Sequence, residues 1–151
     1  LNEALATLIP HATPERMLGL YMLDLDGFKP VNDQYGHDIG DELLIAIARR
    51  LGAALRAHDI VARVGGDEFV VVATDLPSES AAAELGDTLL AAFRTPFRQG
   101  DQDCRVGATI GYVLVPNDGT AIGALLKAAD AAMYAGKQAG KGVAVRGTRS
   151  L

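Results

Sequence analysis

Apolar residues in this chain follow two rhythms, and each change of rhythm marks an element. Leu1, Leu5, Leu8 and Ile9 recur at helical spacing, which predicts a short amphipathic helix ending near Pro10. "MLGLYML" (17–23) is apolar throughout, as expected of a central strand covered on both faces, and it runs into Asp24-Leu25-Asp26. "GFKPVNDQYGHDIG" (27–40) is polar, and Pro30 disfavours helical geometry at Lys29, so a helical turn at most is expected there. From Ile39 to about Ala57 the positions Leu43, Leu44, Ile47, Leu51, Ala54 and Leu55 restore the period of a long helix. "DIVARVGGDEFVVVAT" (59–74) reads as two strands joined at Gly65-Gly66. A second long helix spans about Ser78 to Phe93 and stops before Pro96. "CRVGATIGYVLV" (104–115) is a strand, "PNDG" (116–119) its turn, 121–139 another helix, and "GVAVR" (142–146) an edge strand. This order predicts an α+β fold: a central antiparallel sheet built on βαββαβ and flanked by helices.

Composition narrows the class. The chain of 151 residues is expected to be a single domain, 1–151, with no internal linker or repeat. Its abrupt start at Leu1, inside a helix-like stretch, suggests excision from a longer multidomain protein. A net charge of −5 argues against nucleic acid or an anionic membrane as partner, though not against one anionic ligand held through metal ions. Cys104 is the only cysteine, so no intrachain disulfide can form and a reducing, cytoplasmic location is expected. No apolar run approaches the ~18 residues of a membrane span, so direct insertion of this domain is not expected, while an anchor elsewhere in a parent protein stays open.

The chemistry gathers at strand ends. In "RVGGDEFVVV" (63–72) two acids run straight into a buried strand, where unpaired charge is costly. Asp24 ends the first strand, and Asp67 and Glu68 open the third. If those strands are neighbours, the acids meet at one edge and raise one another's pKa unless a cation intervenes. Hard oxygen ligands of this kind suit Mg²⁺ or Mn²⁺. The plainer alternative leaves each acid solvated at its strand end.

"DLDGFKPVND" (24–33), "GHDIGD" (36–41), "RVGGDEF" (63–69) and "ADAAMYAGKQAGK" (129–141), in that order, resemble the signatures of the GGDEF family of diguanylate cyclases. The resemblance covers nearly the whole chain and implies the palm-like fold of nucleotidyl cyclases. It implies condensation of two GTP into cyclic di-GMP and pyrophosphate, with two Mg²⁺ or Mn²⁺ ions per half-site held by Asp24, the Leu25 carbonyl and Asp67. Asp67 is then the essential acid, with Glu68 supporting it, and Gly65 and Gly66 admit the triphosphate. Asn32 and Asp41 match guanine readers, and His37 a further substrate contact. Lys29, Lys137 and Lys141 match phosphate contacts. The last two, four apart on the final helix, are expected on one face; Lys at the second, where the family usually has Arg, keeps the charge but not the bidentate fork. Plainer readings coexist: Asp38 as helix N-cap with Asp41 in a variant capping box, His37 as structural, and the lysines as helix C-terminal charges.

Arg56 and Asp59 match the family's Arg-x-x-Asp inhibitory site for the cyclic dinucleotide product, although a helix end and polar turn would also explain them. The further arginine often found on the next helix is missing from "AELGDTLLAAF" (83–93), and the family's Leu-Thr-Gly-Leu-Pro-Asn-Arg opening is absent. Catalysis by such a domain requires a homodimer, since each chain binds one GTP. Two other readings stay open: a non-catalytic module binding GTP or cyclic di-GMP, and a polymerase-like or purine-cyclase palm, against which Asn32 with Asp41 favours guanine.

Overall fold

Met17–Asp26 forms β1, the middle strand of a five-stranded sheet, in a computed structural model that describes residues 1–147. The last residues of the expected domain, 148–151, lie outside the described residues. Its apolar run is explained by two cores, one on each face of the sheet. Tyr21, Leu23 and Leu25 point into one, and Leu18 and Leu20 into the other.

The remaining elements follow in chain order. Asn2–Leu8 forms α1, continued by a 3₁₀ turn over Ile9–His11 that contains Pro10. After β1 come α2 (Phe28–Tyr35), α3 (His37–Ala53), β2 (Ile60–Arg63), β3 (Glu68–Leu76) and α4 (Glu79–Ala91). A small hairpin of β4 (Phe97–Gln99) and β5 (Gln102–Cys104) precedes β6 (Gly107–Val115), α5 (Ile122–Gln138) and β7 (Ala144–Arg146). The sheet order is β2-β3-β1-β6-β7, antiparallel except for the parallel β6–β7 pair. This is the expected α+β class.

Each face is closed by helices. Leu43, Ile47 and Leu51 of α3 are fully buried on the first face, beside Ala82 and Leu89 of α4. Leu5 of α1 and Leu125 and Ala129 of α5 close the second. Burying each large aliphatic side chain is worth roughly 1.5–3 kcal/mol, so the helices are held by these stripes rather than by propensity.

Several sequence expectations need correction. The 27–40 stretch carries a full helix, α2, because Pro30 is its third residue, where a backbone N–H has no intrahelical partner to lose. Asp38 is not an N-cap: α3 begins at His37 behind Gly36, with no side-chain cap. That helix also stops at Ala53, short of Ala57. The β4–β5 hairpin follows Pro96 in a stretch with no clear alternation, and "GVAVR" contributes a strand of only three residues.

Candidate functional site

Strand register brings the acids together. β1 and β3 are antiparallel with Asp24 opposite Glu68, and the Leu25 amide donates to the Asp67 carbonyl at 3.0 Å. The turn between β2 and β3 is closed by the Val64 amide on the Glu68 carbonyl at 3.0 Å and by the Arg63 guanidinium on the Gly66 carbonyl, at 3.2 Å from Nε and 3.0 Å from a terminal nitrogen. Asp67 is thereby fixed at the mouth of the sheet. Burial and the charge of Asp24 push its carboxyl above the ordinary range. Glu68 is raised too, by burial and then by Asp24, Asp130 and Asp67.

Asp24 is the half-satisfied member of the group. Its Oδ2 lies 2.9 Å from Lys137 Nζ, whereas Oδ1 is buried without a hydrogen-bond partner. A buried carboxylate oxygen left bare is costly unless something else comes to it. Among the described residues no three acids, histidines or cysteines converge on a ready-made metal cage. Mg²⁺ does not need one, since it is commonly held by one or two carboxylates together with water and substrate phosphate. Asp24 and Asp67, with the Leu25 carbonyl between them in sequence, fit that donor set.

A cavity of about 370 Å³ opens beside these acids between α2, α3 and the β2–β3 turn. Lys29, Asn32, His37, Asp41, Gly66 and Asp67 all line it, as do Phe28 and Arg63. Residues separated by up to 39 positions in sequence thus share one wall. The Asn32 amide nitrogen and His37 Nδ1 are hydrogen-bonded at 3.1 Å, which gives His37 a positioning contact inside the cavity.

Gly40, which no motif argument singled out, makes room for this arrangement: a Cβ there would collide with the Asn32 side-chain oxygen. Gly40→Ala is therefore expected to rotate Asn32 out of place and weaken guanine-nucleotide binding roughly 5–100-fold, the cost of about one lost buried polar contact. Isothermal titration with a non-hydrolysable GTP analogue measures it, and unchanged affinity would count against Asn32 as a base contact.

The lysines part company. Lys137, on the last turn of α5, bridges Asp24 and Asp26 at 2.9 Å each. Burial lowers its pKa, but the hydrogen bonds and charges of the two carboxylates outweigh that and leave it raised. Lys141 is not on the helix as expected. α5 ends at Gln138, and Lys141 takes a positive φ of 67° between Gly140 and Gly142, which also have positive φ. The helix ends three residues before Lys141, where the glycines turn the chain away, so the two lysines share no helix face.

Arg56 and Asp59 do meet, on unequal terms. The Asp59 side chain is only 3% exposed and accepts the Arg56 amide at 2.9 Å, the Thr74 amide at 2.8 Å and the Thr74 hydroxyl at 3.1 Å. Arg56 donates to the Thr74 carbonyl yet stays 61% exposed. Asp59 holds the turn; Arg56 is the member open to a ligand. Asp26, Arg63 and Thr109 also belong to the site's framework. Asp26 had a sequence signal as the second acid of Asp-x-Asp, and Arg63 as the first residue of "RVGGDEF".

No helix among the described residues is long and apolar enough to cross a membrane. The family described as "Diguanylate cyclase, GGDEF domain" matches residues 1–142. The bifunctional diguanylate cyclase/cyclic di-GMP phosphodiesterase MucR of Pseudomonas aeruginosa is 42% identical over 84% of this chain and 18% of its own length. The cyclic di-GMP phosphodiesterase PdeR of Escherichia coli is 38% identical over 93% of this chain and 22% of its own. The crystal structure of the GGDEF domain of P. aeruginosa TpbB (YfiN) superposes with a TM-score of 0.87 at 36% identity, covering 99% of this chain and 92% of that one. The chain thus spans about a fifth of the length of those two full-length relatives. With its four motifs, its sheet order and its acid edge, the chain belongs to the GGDEF-domain family of diguanylate cyclases.

Proposed function

We propose that this domain is a catalytically active diguanylate cyclase that joins two GTP into cyclic di-GMP and releases pyrophosphate. The observation that carries this reading is the pairing of Asp24 with the Asp67-Glu68 edge beside a cavity that holds Asn32 and Asp41. Asp24, the Leu25 carbonyl and Asp67 would hold two Mg²⁺ or Mn²⁺ ions, which when bound supply Lewis-acid stabilisation of the transferring phosphoryl group. Asn32 and Asp41 read guanine, whose N1–H and amine match carboxylate acceptors that adenine leaves unpaired. Gly65 and Gly66 let backbone approach the triphosphate, and Lys29, Lys137 and Lys141 counter its charge. Asp67, whose carboxyl is raised, would take the proton of the attacking 3′-hydroxyl, with Glu68 opposite Asp24 supporting it.

One chain offers one such half-site, so the product requires two chains face to face, each 3′-hydroxyl near the other's α-phosphate. Dilution through the dimerisation range is expected to lower turnover per chain, measured by mass identification of cyclic di-GMP from GTP and Mg²⁺. Constant specific activity over that range would overturn the homodimer requirement. ATP is expected to give no cyclic product.

Arg56, which stays exposed, would bind the product as an inhibitor through a fork onto phosphate. With Asp59 buried and already accepting three hydrogen bonds, and no arginine on 83–93, this brake is weaker than a two-part clamp.

A second reading is supported by a name: PdeR, a relative covering 93% of this chain, is called a phosphodiesterase. On that reading the domain binds GTP or cyclic di-GMP to regulate a neighbour. Tight GTP binding with only unreacted GTP recovered at high protein concentration would decide for it.

A further inference from the structure

Lys137 is committed to carboxylates in the very site where its charge is wanted for phosphate. Its Nζ stands 2.9 Å from Asp24 Oδ2 and 2.9 Å from Asp26 Oδ1. The two acids beneath it are unequal. Asp26 is complete: its other oxygen accepts the Thr109 hydroxyl at 2.7 Å, and Thr109, fully buried, accepts the Gly142 amide at 3.1 Å. Asp24 keeps a bare, buried Oδ1.

A divalent ion arriving at Asp24 therefore finds a free oxygen but also an ammonium already on the same carboxylate. Two cations on one carboxylate repel, and the ammonium is the one free to shift. A lysine has four rotatable carbons and moves readily as a point charge. With Asp26 as a second anchor, it can leave Asp24 without losing every partner.

We propose that Lys137 is a resident counter-ion that competes with the divalent metal for Asp24, and that Asp26 is the positioning residue that keeps its ammonium at the phosphate side once metal has displaced it. This rests on the reading that Asp24 holds a divalent ion. Metal and triphosphate then assist one another: the metal frees Lys137 for phosphate, and phosphate holds Lys137 off Asp24. Such coupling is reciprocal, so each ligand tightens the other by the same factor. Metal alone enters poorly, and the site assembles when metal and nucleotide arrive together.

The test is Mn²⁺ binding to the 151-residue chain without nucleotide, read from the electron paramagnetic resonance signal of free Mn²⁺. Lys137→Met is expected to bind Mn²⁺ at least fivefold more tightly than the unaltered chain, and to lose most of the gain in affinity that a non-hydrolysable GTP analogue confers. Lys137→Gln, whose neutral amide can still donate to either acid, gives the same direction and serves if the Met variant folds poorly. Unchanged or weaker Mn²⁺ binding in both would overturn the counter-ion role. Asp24→Asn separates the two ideas: lost Mn²⁺ binding there keeps the metal site even if Lys137 proves inert, whereas undiminished binding sinks the metal reading and this proposal with it. For Asp26, the triphosphate affinities of Asp26→Asn, Lys137→Met and the double variant form a cycle. The double variant is expected to be no weaker than Lys137→Met alone, and additive losses would overturn Asp26 as the positioning residue.

Discussion

Asp67→Asn is expected to reduce formation of cyclic di-GMP from GTP and Mg²⁺ by a factor of roughly 10³ or more while leaving the fold intact. Lewis-acid stabilisation in such a site is worth several kcal/mol, and about 4 kcal/mol corresponds to roughly 10³ in rate. The substitution keeps the side chain's shape and removes its charge, and with it the two roles proposed for Asp67, holding metal and accepting the hydroxyl proton. The folding side of the prediction has its own sign. Burial and Asp24 raise the Asp67 carboxyl above its ordinary value, so the folded state holds a proton more readily than the unfolded chain. Its ionisation therefore costs native stability as pH rises from the ordinary carboxylate range through the raised value. At neutral pH, without metal, Asp67→Asn should melt no lower than the unaltered chain, and any advantage should fade as pH falls into that range. A variant that loses both activity and thermal stability would make Asp67 a fold residue, and full activity would remove it from the site.

The acid edge was legible in the sequence because unbroken apolar runs flanked by acids, taken in motif order, are local signals. The two strands do pair, with Asp24 opposite Glu68, although β1 runs on to Asp26 and Asp67 lies just before β3 rather than opening it. Less legible was everything set by a partner distant in sequence. Pro30 reads locally as a breaker, yet at the third position of α2 it breaks nothing. Lys137 and Lys141 read as a helical pair until Gly140 and Gly142 turn the chain away. Asp59 reads as a ligand group, but Thr74, fifteen residues on, claims one of its oxygens while the Arg56 amide takes the other. The parallel pairing of β7 with β6 depends on where α5 returns the chain. Gly40 matters through the Asn32 side chain it adjoins, and single-residue identity does not announce that.

Gly111→Ala is expected to lower the melting temperature by roughly 6–12 °C, corresponding to about 3 kcal/mol for a domain of this size. β6 and α5 touch backbone to backbone at this residue: a Cβ on Gly111 would collide with the Ala129 carbonyl and the Met133 amide of α5. Neither is the end of a flexible side chain, so helix and strand must separate as a unit. A second close approach lies beside the site, where a Cβ on Gly136 would come within 2.8 Å of the Thr109 methyl. Those two contacts set the depth at which α5 lies on the sheet, and Lys137 follows Gly136 directly. Lifting the helix at Gly111 should therefore draw Lys137 Nζ away from Asp24 and Asp26, which it reaches at 2.9 Å each. Loss of stability should come with weaker triphosphate binding at a temperature where the variant is still folded. A variant melting within about 2 °C of the unaltered chain would show that the sheet can give at this point. Intact nucleotide binding in a clearly destabilised variant would separate the packing of α5 from the placement of its lysine. The expected result ties them, because Gly111, Gly136 and Lys137 lie along one contact line from the middle of β6 to the acid edge.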